Sequence, residues 1–354
     1  MSGPRPEANE ARVRIGDSEL VLRDLVARDA DAVVALHTQV FGKDVDATWF
    51  AWKYGDNRHQ GCGEGMTAWH DGTLVAFCGG LPRSLWHQGQ RLGGLQIGDV
   101  MVHPEWRGIL TRRGPFFQVS QALYASRIGV ATVRPFQLGF GFPNLRHLRL
   151  GVILDLLWDG GQIEELKWST ATATPTVLPW GWRWRALLPT EERFDRVVDS
   201  AWGSMRKESP DLMLGERNAA YLRWRYVDRP PSVDAASDRA PRYRFFELLR
   251  PWWSAGSGVA VLDLRSATAR WLDWVGPLEL MPHASLACRA ESAMAGATEL
   301  SLWASQAVAD VLAKAQIDHR VVCAGLGIPV IADMSPPKMP VLDWWLMGGD
   351  TDFL

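Results

Sequence analysis

Cysteine is scarce in this chain, with four residues in 354, at Cys62, Cys78, Cys288 and Cys323, and no C-x-x-C pair among them. A disulfide framework and a zinc site are therefore not expected, and a reducing cytoplasm is the predicted compartment. Long apolar runs are missing as well. No stretch of ~18 apolar residues occurs, so we expect no membrane span, and the polar start of the chain does not resemble a signal peptide.

Excess charge of either sign is also small. The 38 basic and 40 acidic residues leave a net charge of −2, so neither nucleic acid nor an anionic membrane is expected as a partner. Hydrophobic residues make up 47% and charged residues 22% of the chain, as in a globular protein, and the length fits about two domains. Tryptophan, in contrast, is abundant at nineteen residues. We interpret the rings as core and interface packing, with the lining of a pocket by some of them as the alternative.

The first half is predicted to alternate strands and helices after a polar tail at residues 1–18. The predicted elements are a strand at Leu20–Arg23, a helix at Asp29–Phe41, a hairpin of Met66–His70 with Thr73–Leu81, a strand at Leu95–Val102, a helix from Thr111, a strand at Ala131–Phe142, a helix from Asn144 to Gly151, and a hairpin of Val152–Trp158 with Gln162–Trp168. His37 lies on the apolar stripe of the first helix, and we interpret it as a packed core residue.

A weak internal repeat divides the chain. Trp49–Tyr54 and Tyr221–Tyr226 both read aromatic, x, x, Trp, basic, Tyr. We interpret this as a duplicated domain, with a chance match in a Trp-rich chain as the alternative. Residues 169–189 lack periodicity and are predicted to be a linker, and residues 190–354 a second domain. That second copy has no glycine-bearing turn after a strand, so we expect it to have lost ligand binding.

The stretch Leu95–Gly114 reads as a strand, a tight turn, a glycine and then a basic helix. A strand that leads into a helix N-terminus presents free backbone N–H groups at one point, and such a point binds phosphate. Arg107, Arg112 and Arg113 add positive charge there, although each can equally belong to a solvated basic face. The sequence therefore predicts a ligand that contains a pyrophosphate.

The motif V-H-P-E-W-R-G at Val102–Gly108, followed by a helix, a strand and Phe142-Pro143-Asn144…Leu150-Gly151, resembles the GNAT superfamily of acetyl-CoA-dependent N-acyltransferases over residues 20–168. The resemblance implies a mixed α/β fold with a mostly antiparallel central sheet flanked by helices. It implies that residues 19–168 form an acetyl-CoA-binding catalytic domain and residues 190–354 a degenerate copy. The second half resembles the partner domain of tandem GNAT proteins and, more distantly, FemABX transferases.

The resemblance also implies which residues bind the co-substrate acetyl-CoA. These are Met101, Val102, Arg107, Gly108, Ile109, Leu110, Thr111, Arg112 and Asn144. The family loop usually reads R-x-x-G-x-G/A, and here two residues look deleted and the expected glycines are missing. A backbone with fewer glycines approaches a phosphate less closely, which weakens the expected affinity. For Asn144, helix capping is the alternative role.

Two residues are candidates for the chemistry of acyl transfer. Asp99 lies in the strand before the turn, where a carboxylate with a raised pKa is suited to hold or deprotonate an amine; pairing with an arginine is the alternative. His147 lies four residues before Gly151, where many family members have a tyrosine that acts as the general acid. By this resemblance His147 is predicted to protonate the leaving thiolate. A surface or packing role is the alternative, and Tyr124 is a weaker candidate.

These features together predict a cytoplasmic N-acetyltransferase that acts on a small amine such as an amino sugar, an amino acid or a polyamine. Two alternatives remain open. One is a FemABX-like aminoacyl transferase that acts on a cell-wall precursor, and the other is a binding or scaffold protein that has kept the fold and lost catalysis. No metal is expected: Asp350-Thr351-Asp352 resembles a D-x-D clamp, but we interpret it as a surface tail.

Overall fold

The computed structural model describes residues 10–57, 61–109, 111–129, 134–171, 178–230, 242–251, 257–313, 315, 317–330 and 343–351. The strands are β1 (Ala11–Ile15), β2 (Ser18–Asp24), β3 (Asp56–Asn57), β4 (Gly61–Cys62), β5 (Glu64–His70), β6 (Thr73–His87), β7 (Gln90–Val102), β8 (Leu138–Gly141), β9 (Leu157–Ser169), β10 (Arg183–Ala186), β11 (Met213–Gly215), β12 (Arg244–Leu249), β13 (Ser257–Asp263), β14 (Thr268–Val275), β15 (Glu299–Ser305), β16 (His319–Pro329) and β17 (Trp344–Trp345). The helices are α1 (Ala30–Phe41), α2 (Ala47–Tyr54), α3 (Pro115–Arg127), α4 (Leu145–Ile153), α5 (Arg193–Glu208), α6 (Ala219–Leu222), α7 (Met281–Met294) and α8 (Gln306–Leu312), and a π-helical turn (Arg223–Val227) follows α6.

One sheet of fifteen strands runs through both halves of the chain. Its main order is β1-β2-β5-β6-β7-β8-β16-β9-β15-β14-β13-β12-β10, with β11 and β17 attached beside it. Most neighbours are antiparallel, while β7 runs parallel to β8 and β14 runs parallel to β15. Helices pack on the faces, so the predicted mixed α/β fold is confirmed.

The middle of β6 is buried on both faces, which explains its nearly continuous apolar sequence. Phe77 packs on one face against Val33 and Leu36 of α1. Val75 packs on the other face with Val119 and Leu123 of α3. The sheet of the first half is therefore covered on both sides, and the end of β7 lies between these two helix layers.

The two halves are not separated cleanly along the sequence. Strand β16 lies within the predicted second domain, yet it inserts between β8 and β9, pairing with β9 over most of its length. The predicted linker is also not structureless, because it contains β10, which pairs with β12. The first half thus obtains one strand of its sheet from near the end of the chain.

Several predicted elements differ from the structure. The second hairpin is wrong, because residues 157–169 form the single strand β9. The α4 helix continues beyond Gly151, which is buried against Leu157. The tail contains β1, whose Ile15 joins the core. The strand predicted at 131–142 is limited in the described residues to β8, with residues 130–133 outside them. No helix of the described part is long and apolar enough to cross a membrane.

Candidate functional site

A cleft of about 1440 Å³ opens where β7 and β8 separate. The two parallel strands pair from Gly94 to Ile97 of β7, and β8 ends at Gly141 opposite Ile97. Beyond that point β7 continues to Val102 while the chain after β8 turns into α4. Pockets for small ligands measure about 300–1,000 Å³, so this cleft has room for two ligands side by side.

Both halves of the chain line the cleft. The first half contributes the α1–α2 loop, the end of β7, the following loop and α4. The second half contributes Arg229, Arg242, Trp303 and Cys323. The wall therefore combines apolar rings with charged groups of both signs.

Asp99 stands at a β-bulge in the cleft wall. The register between β6 and β7 shifts between Phe77 and Gly79, and Asp99 has the left-handed φ of 48°. Bulges beside binding sites redirect a side chain. Here the bulge directs Asp99 to α2, where its Oδ2 lies 2.6 Å from Lys53 Nζ and accepts a hydrogen bond of 2.5 Å from the Tyr54 hydroxyl.

The ionisation of Asp99 is opposite to the prediction. Burial by itself raises the pKa of this carboxyl group, but the ammonium of Lys53, hydrogen bonds from Lys53 and Tyr54, and the charge of His37 together lower it. Asp99 is therefore held as a carboxylate and is not a base with a raised pKa. Lys53 and Tyr54 are functional candidates that sequence reasoning missed, although the repeated Trp-basic-Tyr motif contains both of them.

His37 both packs in the core, as predicted, and lines the cleft. It is 8% exposed, and its ring lies 4.7 Å from that of Trp49 and 4.9 Å from that of Phe41, measured between centroids. Its Nδ1 has no hydrogen-bond partner among the described residues. Burial lowers the pKa of His37, and Lys53 lowers it further, while Asp99 acts in the opposite direction. The result is a neutral imidazole in the wall of the cleft.

His147 and Asn144 lie together on α4 at the rim of the cleft. The Asn144 Oδ1 accepts a hydrogen bond of 2.9 Å from the amide of His147, so the capping role of Asn144 is present. His147 is exposed, its ring centroid is 6.4 Å from that of Phe116, and partial burial and the charge of Arg146 lower its pKa. Tyr124 also lines the cleft but is buried, and burial raises its pKa well above the usual value.

The loop after β7 leaves several amides available. The amides of Trp106 and Arg107 donate to His103 and Pro104 carbonyls, and that of Arg113 donates to the Thr111 hydroxyl. Within the described chain no hydrogen bond is donated by the amides of the remaining loop residues, Gly108, Ile109, Thr111 and Arg112. Helix α3 then begins at Pro115 without a side-chain cap. These donors are those that an anion at a helix N-terminus uses.

The predicted binding residues are distributed unevenly around this loop. Val102, Arg107, Gly108 and Ile109 line the cleft, and Arg107 Nε donates to the Val102 carbonyl at 3.1 Å. Met101 is fully buried in the core with Phe77 and does not line the cleft. Thr111 and Arg112 are exposed further along the loop, where Arg112 pairs with Asp155. Leu110 lies outside the described residues.

The two repeat motifs meet face to face. The rings of Trp52 and Trp224 stack at 5.4 Å with an interplanar angle of 19°. Each indole N–H donates to the backbone carbonyl of the other tryptophan, at 2.9 and 3.3 Å. Tyr226 bonds Asp273 of β14 at 3.0 Å, as Tyr54 bonds Asp99 of β7. The repeat read from the sequence thus corresponds to equivalent contacts in the two halves.

In the second half, the space that corresponds to the cleft of the first half is filled by the chain itself. Residues 347–350 pack beside β14, and a Cβ on Gly349 would lie 1.8 Å from the Tyr226 hydroxyl. Arg217 bridges Asp273, at 2.7 Å, and Asp350, and all three side chains are buried. Asp350 is therefore not in a surface tail, and Asp352 lies outside the described residues. No group of His, Cys, Asp and Glu suited to a metal ion occurs in the described part of the chain.

Comparison with known proteins supports the fold. Residues 21–133 match the family model of the Acetyltransferase (GNAT) domain. A probable N-acyltransferase from Enterococcus faecalis V583 is 11% identical with a TM-score of 0.64, over 88% of this chain and 73% of that one. A GCN5-related N-acetyltransferase from Kribbella flavida is 14% identical with a TM-score of 0.58, over 88% of this chain and 71% of that one.

N-myristoyltransferase from Saccharomyces cerevisiae, solved with bound myristoyl-CoA, is also similar. It is 9% identical with a TM-score of 0.52, and the match covers 95% of this chain and 90% of that one. No curated protein matches the sequence. The match to the family model and the shared fold support acyl transfer as the general activity. The first half of the chain is thus similar to the GNAT acetyltransferase domain, whose model residues 21–133 match.

Proposed function

We propose that the protein transfers an acyl group from an acyl-CoA, with acetyl-CoA as the first donor to test, to the primary amine of a small acceptor in the cytoplasm. The observation that carries the proposal is the loop of free amides at the separated ends of β7 and β8. The loop leads into the uncapped N-terminus of α3, and its first part, Trp106 to Ile109, borders a cleft with room for a second ligand, as does Pro115 at the start of the helix. The GNAT family match supports the same reaction class.

The residues of the loop fit a diphosphate. Gly114 is required for the shape of the loop, because a Cβ there would lie 1.9 Å from the Ile109 carbonyl oxygen. The free amides of Gly108, Ile109 and Thr111 would hold the phosphate oxygens, and Arg107 would add charge at the rim. An acyl-CoA bound there supplies a thioester carbonyl, to which an amine adds with release of the thiol.

His37 is proposed to take the proton from the acceptor ammonium. Its imidazole is neutral because burial lowers its pKa, and general bases act best when they are unprotonated at the working pH. The Asp99 carboxylate, held ionised by Lys53, then favours the imidazolium that forms. Asp99 is thereby proposed to support the base and not to be the base. His147 at the rim remains the proposed proton donor to the thiolate.

The proposal is tested by binding and by turnover. Acetyl-CoA at ~100 times its dissociation constant should raise the free energy of unfolding by about 2.7 kcal/mol, and Arg107→Ala should weaken the binding measured by calorimetry. Arg12→Ala is the matched control, since Arg12 is an exposed arginine of β1 paired with Glu19. An amine panel then measures thiol release. Absence of acetyl-CoA binding would support the scaffold alternative.

A further inference from the structure

The cleft is lined from both faces of the sheet. The loop after β7 and His147 border it on the face covered by α3 and α4, two helices whose Val119 and Leu148 share one core cluster. His37 of α1 and Trp49 of α2 line it on the opposite face. In the proposed reaction the acyl-CoA is therefore held from the first face, and the acceptor meets His37 on the second.

An apolar cluster at β8 lies on the same face of the sheet as His37. Leu138 and Phe140 of β8 belong to this cluster. A Cβ on Gly139, between them, would meet Ile128 at 2.5 Å, and Ile128 packs with α3. Side chains of successive strand residues point to opposite faces of a sheet. The cluster therefore lies on the face away from α3, which is the face of α1 and α2.

Part of this cluster lines the cleft. Its lining members come from the end of β8 and from β15 and β16, and we call them the apolar wall: Phe142, Trp303, Cys323 and Ala324. Phe142 packs edge to face on Phe140, with ring centroids 6.0 Å apart. Burial raises the pKa of Cys323 to about 12, so its thiol is uncharged. The wall thus presents two aromatic rings, a neutral thiol and a methyl group.

The apolar wall begins where the two strands separate. Gly141 of β8 pairs with Ile97 of β7, and a Cβ on Gly141 would lie 3.0 Å from the Ile97 carbonyl oxygen. Phe142 is the next residue on one side of this junction, and Gly98 is the next on the other, followed directly by Asp99. The wall therefore starts across the gap from the bulge at Asp99.

Contacts through α2 tie His37 to this same gap. The ring centroid of Trp49 lies 4.7 Å from that of His37 and 5.2 Å from Lys53 Nζ. The same Nζ lies 2.6 Å from Asp99 Oδ2, and the charges of Asp99 and Lys53 both act on the pKa of His37. Phe41, which is 46% exposed, lines the cleft beside His37 at a centroid distance of 4.9 Å. Aromatic rings therefore stand on both sides of the gap.

The charged groups on this face have partners or are open to solvent. Arg229 Nη1 donates to the Tyr243 hydroxyl at 3.0 Å, and Arg242 Nε lies 3.5 Å from Asp263. Lys53 and Asp99 neutralise each other. The charged residues of the α1–α2 loop are exposed, namely Lys43, Asp44 and Asp46. The apolar wall is thus the surface of this face that a ligand gains most by covering.

We infer that the acceptor is an arylalkylamine, a primary amine whose short carbon chain ends in an aromatic ring, and that the ring packs on Phe142 and Trp303 while the amine faces His37. Aromatic rings pack well on one another in offset or edge-to-face pairs. The inference rests on the proposed function, and it gives Trp303 of the second half a role in selecting the acceptor. Amino sugars and polyamines become poor acceptors, because they place polar groups against the apolar wall.

The test compares amines that differ in the ring. With acetyl-CoA as donor, kcat/KM is measured for phenethylamine, tryptamine, ethanolamine, glucosamine and spermidine. Phenethylamine and ethanolamine have ammonium groups of similar acidity, so the ratio of their kcat/KM values reports on the ring and not on the supply of free amine. We expect phenethylamine to exceed ethanolamine by about tenfold or more, because the apolar area of the ring is buried on binding.

Variants assign that preference to the apolar wall. Phe142→Leu and Trp303→Leu stay apolar but lose the ring, and each should lower the ratio of phenethylamine to ethanolamine by about threefold or more. Trp303→Phe keeps a ring and should retain most of the ratio. Phe140→Leu is the matched control, because Phe140 packs in the same cluster but does not line the cleft. Thermal unfolding and acetyl-CoA affinity report on the folding of each variant.

The outcomes separate the two proposals. If acetyl-CoA does not bind, the proposed function fails. If acetyl-CoA binds but ethanolamine, glucosamine or spermidine reacts as well as the aromatic amines, or if no amine of the panel is acylated, the inference is wrong. An unchanged ratio in both leucine variants overturns it as well.

A second donor tests whether the apolar wall holds the acyl group instead. The parent and the leucine variants are assayed with hexanoyl-CoA beside acetyl-CoA, and we expect the substitutions to leave the ratio of the two donors unchanged. If they alter the donor ratio and leave the amine ratio as it is in the parent, the wall contacts the acyl chain and the inference is overturned.

Discussion

At the scale of single residues, the charge state of Asp99 has a direct consequence for stability. Its carboxylate pairs with Lys53, and the two side chains are 7% and 2% exposed. We expect Asp99→Asn to lower the free energy of unfolding by about 3–5 kcal/mol, because the charge of Lys53 stays buried after its carboxylate partner is removed. Urea unfolding measures this. Asp99→Asn combined with Lys53→Met should recover much of the loss, and no recovery would contradict the pairing.

The same pair predicts how stability depends on pH. The pKa of Asp99 is lowered in the folded protein, so its contribution is complete above the unfolded-state pKa of about 3.9 and is lost as the pH falls through the folded value. Below about pH 4, the free energy of unfolding of the parent should therefore fall more steeply with decreasing pH than that of Asp99→Asn. Asp71→Asn, at an exposed turn, is the control and should leave the acid profile unchanged.

His37 is expected to control the acid side of the rate profile. Burial lowers its pKa, with Lys53 and Lys43 acting in the same direction and Asp99 opposing them, so the base is active at neutral pH and is lost as the pH falls through that lowered value. His37→Gln should reduce kcat by about 10²-fold or more and remove this acid limb. His283→Gln, whose ring stacks on Trp182 at 4.2 Å, is the control. Wild-type kcat in His37→Gln between pH 6 and 9 would exclude the role.

At the scale of elements, the loop between β7 and α3 depends on one glycine. A Cβ on Gly114 would lie 1.9 Å from the Ile109 carbonyl oxygen, so Gly114→Ala must displace the loop that presents the free amides. We expect acetyl-CoA affinity to fall by about tenfold or more, since each lost hydrogen bond to a charged group costs about 1.5–3 kcal/mol. Calorimetric titration measures it.

The control for that substitution is a glycine with open space around it. Gly203 lies inside α5, and a Cβ there meets nothing within 4 Å. Gly203→Ala should leave acetyl-CoA binding unchanged and stabilise the protein by about 0.5–1 kcal/mol. Unchanged binding in Gly114→Ala as well would show that the amides of this loop do not hold the ligand.

Local sequence rules predicted those elements whose signals are local. The turn at Asp71-Gly72 has the positive φ values of 46° and 79° that its two residues favour, and Asn144 caps α4 as a side-chain acceptor should. The rules failed where a distant partner decides. Gly160 lies between the two strands of the predicted hairpin of Val152–Trp158 with Gln162–Trp168, but a Cβ there would meet Ile328 of β16 at 2.7 Å, so the glycine allows two strands to approach within one sheet.

The site shows the same limit. The motif at Val102–Gly108 led to the loop and to Asp99 as candidates, because Asp99, the motif and the loop are neighbours along the chain. The partners of Asp99 were not found, since Lys53 and Tyr54 lie 46 and 45 residues away and are joined to Asp99 only by the fold. Gly79 completes that junction, because a Cβ there would lie 2.1 Å from the Tyr54 hydroxyl. Spacing in the sequence carries no record of such contacts.

At the scale of the whole molecule, the sheet joins the two halves through β16. This strand follows most of the second half in sequence but pairs with β9 and β8 of the first half. A chain of residues 1–169 lacks it and leaves the edges of β8 and β9 unpaired. We therefore expect this truncated chain to lack a cooperative thermal transition and to bind no acetyl-CoA. The full chain should unfold cooperatively and bind acetyl-CoA.

The structure also offers the variant that should repair the truncated chain. His319 of β16 lies opposite Lys167 of β9, and the amide of Asp318 donates to the Lys167 carbonyl at 3.0 Å. The same register places Ser169 opposite Ile317. An Asn-Gly turn from Ser169 to Ile317 should join the two strands as a hairpin, since this dipeptide favours the twist of antiparallel strands. Residues 1–169 continued through that turn into 317–330 should regain cooperative unfolding in calorimetry and bind acetyl-CoA. Both shortened chains expose Leu166 and Trp168, which pack against the second half, so a difference between them reports on β16. Equal behaviour of the two would show that β16 is not what completes the first half.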